Sequence, residues 1–146
     1  MVNKANMRLV VAALRSGKYP QGTGRLKEVD VSGKAIGYCC MGVMCEVAIE
    51  HGVPVQVNRY ALGSETRKAE TFDGSPSFLR RNVANWLGLD TDVELDVDLT
   101  VGVDGNQLIS ASYVNDELKW PFERIADSME DYYKLAEDDD EPVAVD

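Results

Sequence analysis

The sequence predicts an α+β fold, a single compact domain with about four helices set around one central buried helix and a small antiparallel sheet. Two stretches carry that prediction. From Tyr38 to His51 the run YCCMGVMCEVAIEH lies between Gly37 and Gly52 and is apolar on most of a helical circumference: Met41, Met44, Cys45, Ala48 and Ile49 recur at threes and fours, with Val43 and Val47 on the flank. A helix apolar nearly all round has to be wrapped by other elements. From Val93 to Val103, in contrast, valines and leucines alternate with Glu94, Asp96, Asp98, Thr100 and Gly102, the period of a strand with one buried and one wet face. A length of 146 residues, 45% apolar and 27% charged, suits one domain with a sizeable core.

In chain order, Asn3 is placed to cap a first helix through about Ser16, with Met7, Val10, Val11 and Leu14 inward and Gly17 as its stop. Residues 18–37 are irregular, with a short strand expected at Leu26 to Val31 and a turn at Ser32-Gly33-Lys34. The core helix follows over 38–51, and Gly42 inside it signals close approach of a neighbouring backbone, since glycine otherwise costs helix stability. Val53 to Val57 alternates like a half-buried strand and pairs naturally in a hairpin with Arg67 to Phe72. Ser75-Pro76 predicts a helix over 76–87 that Gly88 ends. Asp104-Gly105 is a hairpin turn signature, and the stretch after it reads either as a return strand from Gln107 to Ser110 or as a short helix from Ile109 to Val114. Pro121 opens a last helix to about residue 135, with Phe122, Ile125, Ala126 and Met129 inward. The globular domain is thus expected to span 1–136, with 137–146 as a flexible acidic tail.

The formal charge of -10 is unevenly spread: residues 1–81 hold 12 Lys and Arg against 7 Asp and Glu, a net +5, and residues 82–146 hold 3 against 18, a net -15. So acidic a half argues against duplex DNA as a ligand, because phosphate neutralisation dominates that binding. It favours a basic partner, or self-association in which the acidic half of one copy meets the basic half of another. No stretch reaches the roughly 18 consecutive apolar residues of a membrane span, and the N-terminus lacks a secretion-signal pattern, so a cytoplasmic protein is expected.

Candidate chemistry is sparse. Cys39, Cys40 and Cys45 lack Cys-x-x-Cys spacing and read as small core hydrophobes, so neither metal nor cofactor is expected. The lone histidine, His51, suits a helix C-terminus through the helix dipole. Gly22-Thr23-Gly24-Arg25 matches neither standard phosphate loop, but Arg15, Lys18, Arg25 and Lys27 cluster around it and make an anion site for a small phosphorylated metabolite or nucleotide signal the alternative function. No residue is assigned a catalytic role. The acidic row Asp92, Glu94, Asp96 and Asp98 is the main candidate: on a strand these carboxylates stand about 6.6 Å apart on one face, comparable to the spacing of phosphates along one DNA strand. Such a row offers a surface to a basic protein, one that handles nucleic acid in particular. The simpler reading is a solvated edge that blocks aggregation.

Several motifs, taken in order, resemble small accessory proteins encoded by tailed bacteriophages: Ala13-Leu14-Arg15-Ser16-Gly17-Lys18-Tyr19-Pro20-Gln21, then Tyr38-Cys39-Cys40-Met41-Gly42-Val43-Met44-Cys45, then Trp86-Leu87-Gly88-Leu89, and Asn115-Asp116 followed by Phe122-Glu123-Arg124-Ile125-Ala126-Asp127. The similarity runs from about Leu9 to Met129, and departs from the phage pattern where Leu9 and Val10 stand in place of a tryptophan. The resemblance implies a protein of the host cytoplasm during infection, supplies no catalytic residue, and favours binding to a host protein over chemistry. A homo-oligomeric phage protein without a ligand is the remaining reading.

Overall fold

The computed structural model describes residues 2–63, 66–89, 97–102 and 108–136. Within them the chain is one mixed α and β unit of five helices, a four-stranded antiparallel sheet and a separate two-stranded ribbon.

Helix α1 (Lys4–Arg15) starts where expected, with the Asn3 side chain accepting from the Asn6 amide at 3.0 Å, and it buries Met7, Val10, Val11 and Leu14. A hairpin follows, β1 (Lys27–Asp30) and β2 (Ala35–Tyr38). Its turn is built by Asp30, whose Oδ1 accepts from the Ser32 amide and hydroxyl and the Lys34 amide, while Gly33 takes a φ of +91°.

Helix α2 (Cys40–Glu50) buries eight of its eleven residues and touches α1, α3 (Arg81–Trp86), α4 (Ala111–Asp116) and β2. It begins two residues later than the sequence predicts because Tyr38 belongs to β2 and Cys39 is the extended residue ahead of the helix. Its close is a Schellman arrangement: Gly52, at φ +90°, donates to the Ile49 carbonyl and Val53 to the Ala48 carbonyl.

That cap explains why the next strand starts late. Val53 is spent on α2 and Pro54 has no N–H to give, so the ladder of β3 (Val57–Ala61) with β4 (Arg67–Phe72) begins only after Gln56, which Asp73 holds through both backbone and side chain. The strand expected over Val53 to Val57 has slid four residues, whereas β4 falls on its expected bounds. The sheet order is β2-β1-β4-β3, antiparallel throughout, with Lys27 opposite Glu70 and Arg59 opposite Glu70.

Residues 76–80 are not helical as expected. Ser75 does cap a turn, its Oγ accepting from the Phe78 amide at 3.1 Å, but Leu79 then exchanges two backbone hydrogen bonds with Val97 at 3.0 and 2.8 Å and the helix forms only at α3. Pairing with a segment far along the chain overrides the local helix signal here. Over 97–102 the predicted alternation is present, with Val97, Leu99 and Val101 buried and Thr100 exposed, although only β5 (Thr100–Gly102) is strand, paired with β6 (Leu108–Ser110). The expected stretches 90–96, 103–107 and 137–146 lie outside the described residues. Strand and helix, offered as alternatives for 107–114, both occur: β6 runs into α4, which is the helix beyond the four expected. Helix α5 (Phe122–Tyr132) buries Phe122, Ile125, Ala126 and Met129 against α1 and β5. No helix among the described residues is long and apolar enough to cross a membrane.

Candidate functional site

The backbone around the start of α2 is unusually crowded. An added Cβ on Gly42 would sit 1.7 Å from the Leu26 carbonyl oxygen, so the chain entering β1 crosses α2 in direct backbone contact, as the glycine's position predicts. Beside it, Gly22 and Gly37 cross so closely that a Cβ on Gly22 would stand 3.2 Å from the Gly37 Cα.

Asn115 closes this crossing. Fully buried, its Oδ1 accepts from Gln21 Nε2 at 2.9 Å and the Cys40 amide at 3.2 Å, while its Nδ2 donates to the Gly22 carbonyl at 2.9 Å and to Asp116 at 2.8 Å. Gln21 Nε2 also reaches the Trp120 carbonyl at 2.8 Å, the Phe122 amide donates to Gln21 Oε1 at 3.1 Å, and the Gly24 amide donates to the Asp116 carboxylate at 2.9 Å. The Cys40 amide is one of the helix-start donors that α2 cannot satisfy itself. Pro20-Gln21, Tyr38-Cys39-Cys40 and Asn115-Asp116, which are scattered in sequence, therefore meet in one polar junction, buried at Cys40 and Asn115 and open at Gln21 and Gly24, whose every named contact is internal.

The four cations of the anion reading do not converge. Arg15 turns to α5 and pairs with Asp127 at 2.6 Å and Glu130 at 2.9 Å, and Arg25 pairs with Glu28 at 3.2 Å. Lys27 is largely buried against α2, with Nζ 2.7 Å from Glu46 and 3.1 Å from Glu70, and its ammonium lies 5.5 Å over the Tyr38 ring. Burial alone would lower its pKa, but the hydrogen bond and charge of Glu46 outweigh it and hold the ammonium above its ordinary value. Lys18 stands instead near the Tyr19 ring, on the exposed loop. The wider charge web continues the same theme, with Arg59 on Glu70 and Arg67 on Glu28. Tyr19 donates to Glu50 at 3.2 Å, and burial together with that carboxylate pushes its phenol up to about 12.

The thiols are buried. Desolvation pushes Cys39 up to about 12 and raises Cys40 and Cys45 well above the ordinary thiol value, so nucleophilic thiolate is suppressed in all three. His51 lies at the exposed end of α2 with Nδ1 2.9 Å from the Val47 carbonyl and its ring beside Trp86.

Of the acidic row, Asp92, Glu94 and Asp96 fall outside the described residues, and Asp98 is turned inward: its carboxylate accepts from the Leu99 and Ser112 amides and from the Ser112 hydroxyl, satisfying the first turn of α4. Among the described residues, the acidic groups that face solvent are elsewhere. On α5, Asp127, Glu130 and Asp131 line an open depression of about 430 Å³ with Lys134 and Ala136. Glu117, Glu123 and Asp131 make no ion pair among the described residues. This face gives no row signal in the sequence because its acids are spaced for a helix and mixed with Arg124 and Lys134, not set in an uninterrupted alternation.

The profile described as "Domain of unknown function (DUF8296)" matches residues 2–133, which takes in all five helices and both sheets. No curated protein and no solved structure matches the chain. With the junction, the charge web and the acidic helix face all inside the matched span, the chain belongs to the DUF8296 family.

Proposed function

We propose that this chain is a binding protein without catalysis, which engages a basic protein through the acidic surface of its C-terminal half. The observation that carries the reading is the unequal charge of the two halves, +5 over residues 1–81 and -15 over residues 82–146. In the basic half, Arg15, Arg25, Lys27, Arg59 and Arg67 are each tied to a carboxylate of the same chain. The acidic half has only three basic residues against 18 acids, and Glu117, Glu123 and Asp131 are left to solvent. With five of the twelve cations of residues 1–81 spent on carboxylates and a net -15 over residues 82–146, the solvent-facing acids of α5 set up a field that steers a basic surface toward that helix. The resemblance to phage accessory proteins supports a setting in the cytoplasm of an infected bacterium and a host protein as partner, with a nucleic-acid-handling protein the best fit to a surface of spaced carboxylates.

The test is affinity capture from bacterial lysate at low and high salt with three proteins: wild type, Asp92→Asn/Glu94→Gln/Asp96→Asn, and Glu123→Gln/Asp131→Asn. Asp98 is left alone because its carboxylate holds α4. The reading expects one basic protein captured by wild type, weakened in a neutralised variant and by salt. Capture of the same protein by all three, insensitive to salt, would overturn it.

A further inference from the structure

The two edges of the four-stranded sheet differ. Edge strand β2 is guarded: its register against β1 shifts between Glu28 and Val29, and its end is covered by the chain at 20–22, through the Gly22 amide on the Tyr38 carbonyl at 2.7 Å and the Tyr38 amide on the Pro20 carbonyl at 2.8 Å. Edge strand β3 has no such guard. All five of its residues are exposed, its register with β4 is regular, and no described backbone group bonds its outer side. It contains no proline, no lysine and no acid. Natural sheets rarely leave an edge in this state.

The hydrogen-bond parity shows what the edge offers. The Asp73 amide donates to the Gln56 carbonyl and the Leu62 amide to the Arg67 carbonyl, so residues 56, 58, 60 and 62 direct their backbone groups at β4. Val57, Arg59 and Ala61 therefore direct theirs outward. Three outward residues centred on Arg59 are self-complementary about a two-fold axis: Val57 meets Ala61 of a second copy, Arg59 meets Arg59, and Ala61 meets Val57, each a pair that exchanges both backbone hydrogen bonds. On one sheet face, exposed Tyr60 then stands opposite Asn58 of the other copy, close to the second Tyr60.

The central arginine is compatible with this pairing. Arg59 runs back over its own sheet, with Nη2 2.7 Å from Glu70 and its guanidinium against Gly33, so the axis sees the row Glu70, Arg59, Arg59, Glu70 with every cation beside a carboxylate. The surplus negative charge of the chain lies in the other half of the sequence and is absent from this edge.

We propose that the chain pairs with a second copy of itself, β3 to antiparallel β3, forming a continuous eight-stranded sheet across a two-fold axis. The contact is short compared with the roughly 1,200–2,000 Å² of tight complexes, so the dimer is a reversible one. Because each copy carries -10, salt strengthens it, the opposite of its effect on a basic partner.

Sedimentation equilibrium of wild type, with a monomer of 16.1 kDa, tests the proposal beside two variants. Ala61→Pro removes an outward N–H on each copy and no bond to β4, and is expected to raise the dissociation constant about tenfold with unchanged circular dichroism. Arg59→Cys places a thiol on the axis, where paired residues of this kind have Cα atoms about 5.5 Å apart, suited to a disulfide; Glu70 keeps Lys27 as its partner. Mild oxidation is expected to convert R59C to a covalent dimer and to leave N58C monomeric. A wild type that stays monomeric to about 0.5 mM, a dimer that Ala61→Pro does not weaken, or equal cross-linking of R59C and N58C would overturn the proposal. Should Ala61→Pro fail to fold, the cross-linking pair decides.

Discussion

Replacing Gly42 with alanine tests the packing account most sharply, because helix propensity and tertiary structure predict opposite signs. In an isolated helix the change is stabilising by up to about 1 kcal/mol. In this protein the new methyl would lie 1.7 Å from the Leu26 carbonyl oxygen, 2.6 Å from its carbon and 3.1 Å from its Cα. Relief requires a backbone shift of about 1.5 Å, since C···O contacts are comfortable only above about 3 Å. Leu26 cannot yield alone: it is fully buried, its amide is held by the Pro76 carbonyl at 2.8 Å, and the next residue is already paired to strands on both sides. Overpacking typically costs 1–3 kcal/mol, and a backbone clash with no flexible atom to move belongs above that, at about 3–5 kcal/mol. With a urea slope of about 2 kcal/mol/M, the midpoint of unfolding should fall by about 2 M. Cys45→Ala, a buried truncation on the same helix, should cost only about 1–2 kcal/mol. A Gly42→Ala protein as stable as wild type, or less damaged than Cys45→Ala, would refute the reasoning.

Four further outcomes are expected. Asn115→Ala strips partners from the buried Cys40 amide and Gly22 carbonyl and should cost about 3 kcal/mol in urea unfolding. Asn115→Asp should be worse at neutral pH, because a carboxylate would face the Gly22 carbonyl and Asp116 where an amide donated, and part of the loss should return on acidification as that carboxyl takes up a proton. Stability should fall with alkaline pH: the thiols stay protonated in the fold but ionise in the unfolded chain above about pH 8.5, so the unfolded state binds fewer protons and each thiol removes about 1.4 kcal/mol per pH unit, for Cys39 until about 12. Tyr19 and Lys27, both raised, act in the same direction at higher pH. Urea melts at pH 7, 9 and 10 measure the slope. In a native-state thiol titration, Cys39, Cys40 and Cys45 should react slowly until denaturant is added.

What was legible in the sequence is what depends on local chemistry. Asn3 caps α1, Ser32-Gly33-Lys34 forms the β1–β2 turn, and Gly42 marks a backbone crossing, each readable because a single residue type solves a local problem. Elements decided at a distance were not. The helix over 76–87 lost its first turn to the pairing of Leu79 with Val97, and the strand at 53–57 lost its start to the cap of α2. The role of Asn115 was hidden for the same reason: its partners Gln21, Gly22 and Cys40 come from two segments more than seventy residues away. Asp98 reads from spacing as one carboxylate of an exposed row, but it caps α4 because Ser112 is folded against it, a contact that no periodicity encodes.

The central claim, that an outward acidic half receives a basic partner, is tested most directly by the association rate of the captured protein with wild type and with Glu123→Gln/Asp131→Asn across a salt series. Steering by unneutralised carboxylates predicts that the wild-type rate falls steeply as salt rises and that the variant starts lower with a shallower slope. Equal rates and equal slopes for the two proteins would contradict the account and leave the acidic face of α5 as solvated surface.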